Sequence, residues 1–383
     1  MEAAPRSRRA LPLALLVALS GASAFAEGEI SADLRGLFRT RAYLFHVGST
    51  EAQAYPTGEA APQALPPFSL ELVARPELVL HVGEELSGVV TIHSVRWEGL
   101  AAQQGARGVF RVDRAYVDFT RGRMDLRVGR QALNFGSGLI WNPVDLFDAN
   151  TPLNFAVEKV GVDAIRAAYS PGSTTRLMGI VAMQDGRPIT LARAQWVIGS
   201  TGFAVMAGDR RTLEEQVIGF DLKGDLVVGY WVESTLNLPR NRSPYFRMLV
   251  GADYSLPVLE NLNLSAQYYR DTSGGRGLES YDFASYLAGT RPFLGRQYLS
   301  LIGDLGVSEL TSVTSALIFN LDDQSGLAVL GVRRTFLDSL DVSGRLILFD
   351  GLSGAGEFNP GEGHPLQNLL STRTLELLLE WRL

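Results

Sequence analysis

Residues 30–44 read ISADLRGLFRTRAYL, and apolar and polar side chains alternate along most of this stretch. One side carries Ile30, Ala32, Leu34, Gly36, Phe38, Thr40, Ala42 and Leu44. The other side carries Ser31, Asp33, Arg35, Leu37, Arg39, Arg41 and Tyr43. Successive side chains of a β-strand point to opposite faces, so this period of two predicts a strand with one apolar and one polar face. The alternation returns at residues 262–269 and 374–383.

Two environments favour such strands. A soluble sheet buries the apolar face in a core, whereas a membrane barrel turns it towards lipid and keeps its interior polar. Three features favour the barrel. The segments have about the length that a tilted spanning strand requires, short connections alternate with longer ones, and charged residues lie in the middle of the polar faces. The sequence therefore predicts an all-β fold, a transmembrane antiparallel β-barrel, with a soluble sandwich, solenoid or propeller as the alternative.

The alternating segments give about 18 strands, with 16 as the second choice, because bacterial barrels have an even number. They lie near residues 29–46, 68–82, 85–97, 109–121, 123–130, 159–170, 173–184, 189–198, 201–209, 215–223, 226–237, 244–256, 261–271, 296–307, 309–321, 325–335, 338–350 and 371–383. An even number places both termini and the short turns on the periplasmic side. Residues 281–290 also alternate, but a further strand would make the number odd, so we assign them to an external loop. Charged residues lie on both faces of 109–121, which a β-bulge would reconcile.

The N-terminus is typical of a secretory signal peptide. Three arginines precede an apolar run at residues 10–19, and a small-x-small cleavage site ends at Ala26. The apolar run is too short to span a bilayer. We therefore expect residues 1–26 to be removed and residues 27–383 to form one outer-membrane barrel.

Composition argues against several classes of protein. The 383 residues include no cysteine, which excludes disulfides, thiolate metal sites and a cysteine nucleophile. A net charge of −6 argues against a nucleic-acid partner. The four histidines show no metal-ligand spacing, and the sequence contains no nucleotide-binding or protease motif. We expect no enzyme activity, no cofactor and no metal site; a barrel hydrolase acting through Ser137 is a minor alternative.

The most distinctive stretch is residues 128–159, VGRQALNFGSGLIWNPVDLFDANTPLNFAVEK. It begins as a strand and continues as a long loop that is too apolar and aromatic to lie wholly in water. Two interpretations remain open. The loop packs on its neighbours at the barrel rim, or residues 131–158 fold into the lumen and narrow the pore. In the second case the few charges of the loop would help to set selectivity, as they do in other channels.

This stretch contains a motif made of Gly129, Arg130, Gln131, Gly136, Gly138, Trp141, Asn142, Pro143, Asp145 and Phe147. The motif resembles a pattern in Gram-negative outer-membrane β-barrels of the alginate-export-like and porin-like kind. The resemblance covers the strand pattern broadly, and specific residues over about 131–147. It implies an 18-strand barrel and, as an alternative function, export of an anionic polysaccharide. The C-terminus departs from the pattern, since the chain ends in Leu383 where such barrels often end in Phe or Trp.

Charged residues on the polar faces are candidates for pore lining and selectivity: Asp33, Arg35, Arg39, Arg41, Asp125, Arg127 and Arg345. Two interpretations stay open for them. They form internal salt bridges that stiffen the wall, or they provide an electrostatic lane for a charged solute.

Together these patterns predict a porin in the outer membrane of a Gram-negative bacterium. It would allow diffusion or facilitated transport of small solutes through a pore shaped by loop 131–158. The expected partners are outer-membrane lipid, a small-molecule or oligosaccharide solute, and the barrel insertion machinery. The alternatives are an export channel for an anionic polysaccharide and a closed structural barrel.

Overall fold

A computed structural model describes residues 30–47, 69–99, 108–147, 159–184, 186–287, 291, 293–336, 339–351, 356–358 and 373–382. The expected signal peptide and much of the longest loops lie outside these residues. The described strands are β1 (Ile30–Val47), β2 (Ser69–Val82), β3 (Leu86–Gly99), β4 (Val109–Arg121), β5 (Met124–Gln131), β6 (Val162–Tyr169), β7 (Thr175–Gln184), β8 (Arg187–Ile198), β9 (Thr201–Arg210), β10 (Glu215–Asp225), β11 (Gly229–Pro239), β12 (Tyr245–Leu256), β13 (Asn261–Asp271), β14 (Gln297–Ser308), β15 (Thr311–Asn320), β16 (Ser325–Phe336), β17 (Leu340–Gly351) and β18 (Arg373–Arg382).

A 3-10 turn (Leu278–Ser280) and one short helix, α1 (Phe283–Leu287), lie between β13 and β14. The described residues of this range, 281–287, therefore belong to the β13–β14 connection rather than to a further strand, as the parity of the strand count predicted. No helix in the described part of the chain is long and apolar enough to span a bilayer.

The sheet closes on itself. Each strand pairs in antiparallel fashion with the next one, and β18 pairs with β1, for example through Arg39 opposite Glu380. Closure leaves no edge strand with unpaired backbone groups. The structure is therefore the closed 18-strand antiparallel barrel that the alternating sequence predicted, and the observed strand ends lie within a few residues of the predicted ones.

The long connections begin and end at one end of the barrel, whereas every connection at the other end is short. Turns such as 83–85, 122–123 and 199–200 share one end with the first residues of β1 and the last residues of β18. The long connections, including those after β5, β13 and β17, lie at the other end, which we call the external end. This division agrees with the predicted placement of the loops.

β4 contains the bulge that its charge pattern predicted. Thr91 pairs with Arg114 and the adjacent Ile92 pairs with Val112, so Asp113 is the extra residue. The bulge changes which face the residues after it occupy. As a result Arg111 and Arg114 both point into the barrel, although their positions in the sequence differ in parity.

The two faces of the wall differ as a membrane barrel requires. Outward positions expose large apolar side chains, including Leu34, Phe110, Val181, Ile218 and Leu317. Many inward positions carry buried polar groups, including Glu215, Glu233, Asn237, Gln267 and Asn320. Other inward positions are apolar, among them Ile189, Leu191, Ile318, Leu327 and Val329. Those apolar positions are where loops pack against the inside of the wall.

Candidate functional site

The chain between β5 and β6 turns into the barrel. Its residues 132–147 contact β11 and β13 as well as β6–β10. Since β11 is five strands away from β6 in the closed sheet, the loop crosses the interior. Of the two interpretations of this stretch, the structure supports a loop folded into the lumen; residues 148–158 lie outside the described part.

One side of the loop packs against β6–β10. Leu133, Val144, Leu146 and Phe147 are buried there. They meet an inward-facing apolar surface made of Ala164, Ile180, Ala182, Ile189, Leu191, Met206 and Val217. Burying one side chain of this size contributes about 1.5–3 kcal/mol, so the four contacts together hold this part of the loop against the wall.

The tip of the loop packs on the far wall through Trp141. Its ring stacks on Tyr269 with centroids 5.3 Å apart and an interplanar angle of 4°. Phe293 and Tyr298 surround it at centroid distances of 5.4 and 5.8 Å. Tyr269 lies on β13 and Tyr298 on β14. The loop is therefore anchored on two separate parts of the wall, one formed by β6–β10 and the other by β13 and β14.

A buried carboxylate fixes the backbone of the tip. Glu233, which is 0% exposed, accepts hydrogen bonds from the N–H groups of Ser137 and of Gly138, the latter at 2.9 Å. The N–H of Leu139 donates to Gln267 Oε1 at 3.2 Å. Glu233 is six residues from the external end of β11, or about 20 Å along the strand at roughly 3.3 Å per residue. The tip therefore lies well inside the barrel.

Two glycines permit this close approach. Gly136 has a φ of +90°, and a Cβ there would lie 2.7 Å from Glu233 Oε1. A Cβ at Gly138 would lie 1.8 Å from the carbonyl oxygen of Trp141. Only glycine fits either position without moving backbone or the anchoring carboxylate.

Asp145 connects the two ends of the loop. Its Oδ2 accepts hydrogen bonds from the N–H of Phe135 at 3.1 Å and from Lys159 Nζ, while its Oδ1 accepts from the N–H of Phe147 at 3.0 Å. Lys159 Nζ also donates to Asn134 Oδ1 at 2.8 Å. The Asp145 side chain is fully buried, so this ion pair holds the loop closed near the external end.

Three further motif residues, Gln131, Asn142 and Pro143, stabilise the start and the turn of the loop. Gln131 points inward and donates from Nε2 to the carbonyl oxygen of Ala164 at 3.1 Å. Asn142 and the buried Pro143 form a turn, in which the N–H of Asp145 donates to the Asn142 carbonyl oxygen at 3.1 Å.

Arg130 is separated from the rest of the motif. Because Gln131 points inward, its neighbour on the strand points outward. Arg130 forms an ion pair with Asp163 on the outer face, at 2.8 Å. It therefore does not act together with the loop inside the barrel.

All seven predicted pore-lining residues lie on the inner face of the wall, and each takes part in an ion pair. The pairs are Asp33–Arg35 at 3.7 Å, Arg39–Glu380 at 2.7 Å, Arg41–Glu71 at 3.4 Å, Arg127–Asp118 at 2.6 Å, Arg176–Asp125 at 2.6 Å, and Arg345–Glu376. Internal ion pairing, one of the two interpretations, is thus present throughout this wall.

The described residues of the loop, 132–147, pack on only part of the lumen wall, and we call the remaining part, β18 and β1–β5, the uncovered wall. In the described residues, its two apolar clusters draw wall side chains from β6–β17 and none from β18 or β1–β5. The uncovered wall carries inward-facing arginines at positions 35, 39, 41, 75, 111, 114 and 127. On the neighbouring β6, Arg166 lies opposite Arg127 and forms no ion pair among the described residues.

The residues that receive the loop, namely Glu233, Gln267 and Tyr269, were not among those predicted from the sequence. The inner face of β11 carries Trp231, Glu233, Thr235 and Asn237. A glutamate beside a tryptophan on the polar face of a predicted strand could have indicated a contact site inside the barrel. Its partner, however, lies almost 100 positions earlier in the chain. Alternation assigns a residue to a face but does not say which loop covers it.

A scan against protein-family models gave no match, and a search of curated proteins gave no relative. Solved structures do resemble the chain. Acinetobacter baumannii OccAB1 superposes with a TM-score of 0.61 at 11% identity, covering 94% of this chain and 98% of that chain. Pseudomonas aeruginosa OccK11 (OpdR) gives 0.55 at 12% identity, covering 92% and 95%. The outer membrane protein OprD from Pseudomonas aeruginosa gives 0.57 at 10% identity, covering 94% and 95%. The chain therefore shares the barrel fold of the Occ and OprD outer-membrane porins.

Proposed function

We propose that this protein is an outer-membrane channel for small solutes, in which the β5–β6 loop forms the constriction. The observation that carries the proposal is the position of that loop. A closed wall with an apolar exterior surrounds it, and a buried carboxylate, an aromatic stack and an ion pair hold it inside the lumen. The barrel fold shared with an outer membrane protein supports the location.

The test is single-channel conductance of the refolded protein, lacking residues 1–26, in a planar bilayer. Two variants replace residues 132–157, one with a short Gly/Ser linker and one with a Gly/Ser segment of equal length. Both lose the contacts of Trp141, Ser137 and Asp145, whereas only the first loses chain length. We expect stable conductance steps that become larger in both variants.

Silence in all three proteins, with heat-modifiable migration showing folded barrels, would refute the channel and favour a closed structural barrel. Equal conductance in the unaltered protein and both variants would refute the constriction while leaving the channel in place.

We further propose that solutes pass between the loop and the uncovered wall of β18 and β1–β5. Arg39, Arg41 and Arg127 lie on this wall, and their carboxylate partners would set the balance of charge that a solute meets. Asp33 and Arg35 are near the end where the termini lie, Asp125 is on β5, and Arg345 is on the adjoining β17. Reversal potentials under a salt gradient measure the resulting preference between cations and anions.

The charges of the wall do not favour export of an anionic polysaccharide, and we do not propose it. A polyanion requires a continuous basic surface, whereas the arginines of the uncovered wall are paired with carboxylates such as Glu71, Asp118 and Glu380. The apolar packing around Trp141 also fits a narrow passage better than a wide one.

Residues 1–26 would direct export and be removed, and the barrel insertion machinery would place residues 27–383 in the membrane. Cell fractionation and the N-terminal sequence of the protein recovered from the outer membrane test both statements. An N-terminus at any residue other than Glu27 would contradict the proposed cleavage site.

A further inference from the structure

A short segment of the β17–β18 connection also enters the barrel, at its external end. Gly356, Glu357 and Phe358 are buried there. Phe358 belongs to the same apolar cluster as Trp141 at the tip of the β5–β6 loop. Its N–H donates to Ser325 Oγ at 3.1 Å, at the start of β16. The segment therefore connects an external loop to the surroundings of the proposed constriction.

The carboxyl group of Glu357 joins three other parts of the chain. Its Oε1 accepts a hydrogen bond from the N–H of Leu294, in the β13–β14 loop, at 2.8 Å. Its Oε2 accepts from Asn320 Nδ2 at 2.8 Å and from the hydroxyl group of Tyr298. Asn320 is the last residue of β15, and Tyr298 is the second residue of β14. One side chain thus fixes the segment against the wall and against the neighbouring loop.

The environment of Glu357 contains a second carboxyl group and no ion-pair partner for Glu357 among the described residues. The Glu357 N–H donates to Asp323 Oδ2 at 2.6 Å, and Tyr281 also bonds to Asp323. The titratable groups facing Glu357 are Asp323, Tyr281, Tyr298 and the nearby Tyr286. Burial raises the pKa of Glu357 to about 7, and Asp323 adds to the effect, against the opposing influence of the three hydrogen-bond donors.

We propose that Glu357 is a pH-sensitive latch of the external mouth, which holds residues 356–358 inside the barrel when its carboxyl group is protonated and releases them when the group ionises. The inference rests on the proposed channel function, since it regulates the mouth of that channel. A buried carboxylate without a cation is unfavourable because it has lost its hydration. Ionisation also places a negative charge beside Asp323.

The direction of the effect follows from the raised pKa. A group whose pKa is higher in the docked state than in the released state favours docking at low pH. The favourable contribution is complete below the ordinary value of 4.5 and is lost as pH rises to about 7. With a pKa of 4.5 in the released state and about 7 in the docked state, the ratio of docked to released segment decreases about 30-fold between pH 5.5 and pH 8.

The experiment uses a single introduced thiol, because the chain contains no cysteine. Leu294 is fully buried, and its backbone N–H donates to Glu357, a contact that Leu294→Cys retains. The rate of maleimide labelling is measured at pH 5.5 and pH 8 and divided by the rate of an exposed reference, Glu279→Cys. This division removes the pH dependence of the thiol itself. Phe358→Cys serves as a second reporter if Leu294→Cys does not fold.

We expect the normalised rate to increase about 30-fold between pH 5.5 and pH 8. Adding Glu357→Gln should remove the increase, because the amide keeps an oxygen acceptor but cannot ionise. Adding Glu279→Gln, an exposed glutamate of the β13–β14 loop, should leave the increase unchanged. A rate independent of pH, or an increase that persists in Glu357→Gln, would overturn the latch.

Conductance of the same proteins separates the two proposals. Conduction without pH-dependent labelling refutes the latch and leaves the channel in place. Labelling that depends on Glu357 in a barrel that never conducts supports the latch contact and refutes the channel.

Discussion

Replacing Glu233 by alanine should free the tip of the β5–β6 loop from the wall. The change removes the acceptor of the Ser137 and Gly138 N–H groups and leaves both donors inside the protein. An unsatisfied buried donor costs about 1–3 kcal/mol, so the docked loop loses about 2–6 kcal/mol. The lower figure applies if water enters the space left by the carboxylate. Even that figure lowers the ratio of docked to undocked loop about 30-fold.

The assay is single-channel recording in a planar bilayer, with attention to step size and to fluctuations within the open state. We expect larger and noisier steps in Glu233→Ala, since the tip no longer stays in one position. Glu233→Gln should restore much of the original behaviour, because the amide oxygen can accept the same two hydrogen bonds.

The matched control is Glu214→Ala, which removes an exposed glutamate from the β9–β10 turn at the external end. It should conduct as the unaltered protein does. Steps of unchanged size and noise in Glu233→Ala would show that the carboxylate does not hold the loop. The same steps in Glu214→Ala as in Glu233→Ala would attribute the effect to lost charge rather than to lost anchoring.

Three further predictions follow from the loop and the wall. Trp141→Ala removes the stack on Tyr269 and should weaken docking of the loop tip by about 3–5 kcal/mol, which increases the conductance. Trp141→Phe should weaken docking less, and equal effects of the two changes would contradict the aromatic anchor. Lys159→Met leaves the buried Asp145 carboxylate without this partner and should lower the free energy of unfolding by about 3–5 kcal/mol. Adding Asp145→Asn should restore part of the lost stability in thermal unfolding. No recovery would argue against the ion pair. Arg166→Gln should shift the reversal potential towards cation preference, and an unchanged potential would place Arg166 outside the conducting path.

The strands could be predicted because a barrel wall imposes a local rule. A residue of the wall faces lipid or lumen according to its parity, and lipid accepts few polar side chains. The apolar series from Leu34 to Phe38 and the charged series from Asp33 to Arg41 therefore identify a strand without knowledge of its neighbours. The charges on both faces of β4 indicated a bulge, since a bulge is the way a strand changes parity, but they did not indicate its position at Asp113.

The interior of the barrel could not be predicted in the same way. The loop was recognised as unusual because Trp141 and Phe147 are apolar, but its receptor lies on strands far away in the chain. Ile318 and Leu327 break the expected polar interior because external loops cover them, which no pattern within β15 or β16 reveals. Arg130 was grouped with the loop because it is adjacent in sequence, whereas the strand turns it to the opposite side of the wall.

The anchoring of the loop has a consequence for the order of folding. The loop is synthesised between β5 and β6, yet the groups that anchor its tip belong to β11 and β13, so the tip has no place to dock until those strands are present. Closure of the barrel requires strands that are synthesised later still, because the Arg39–Glu380 pair between β1 and β18 joins residues 341 positions apart. Contacts of such separation form slowly. The nascent chain should therefore pass through a stage in which one side of the loop is packed on β6–β10 while its tip is still undocked.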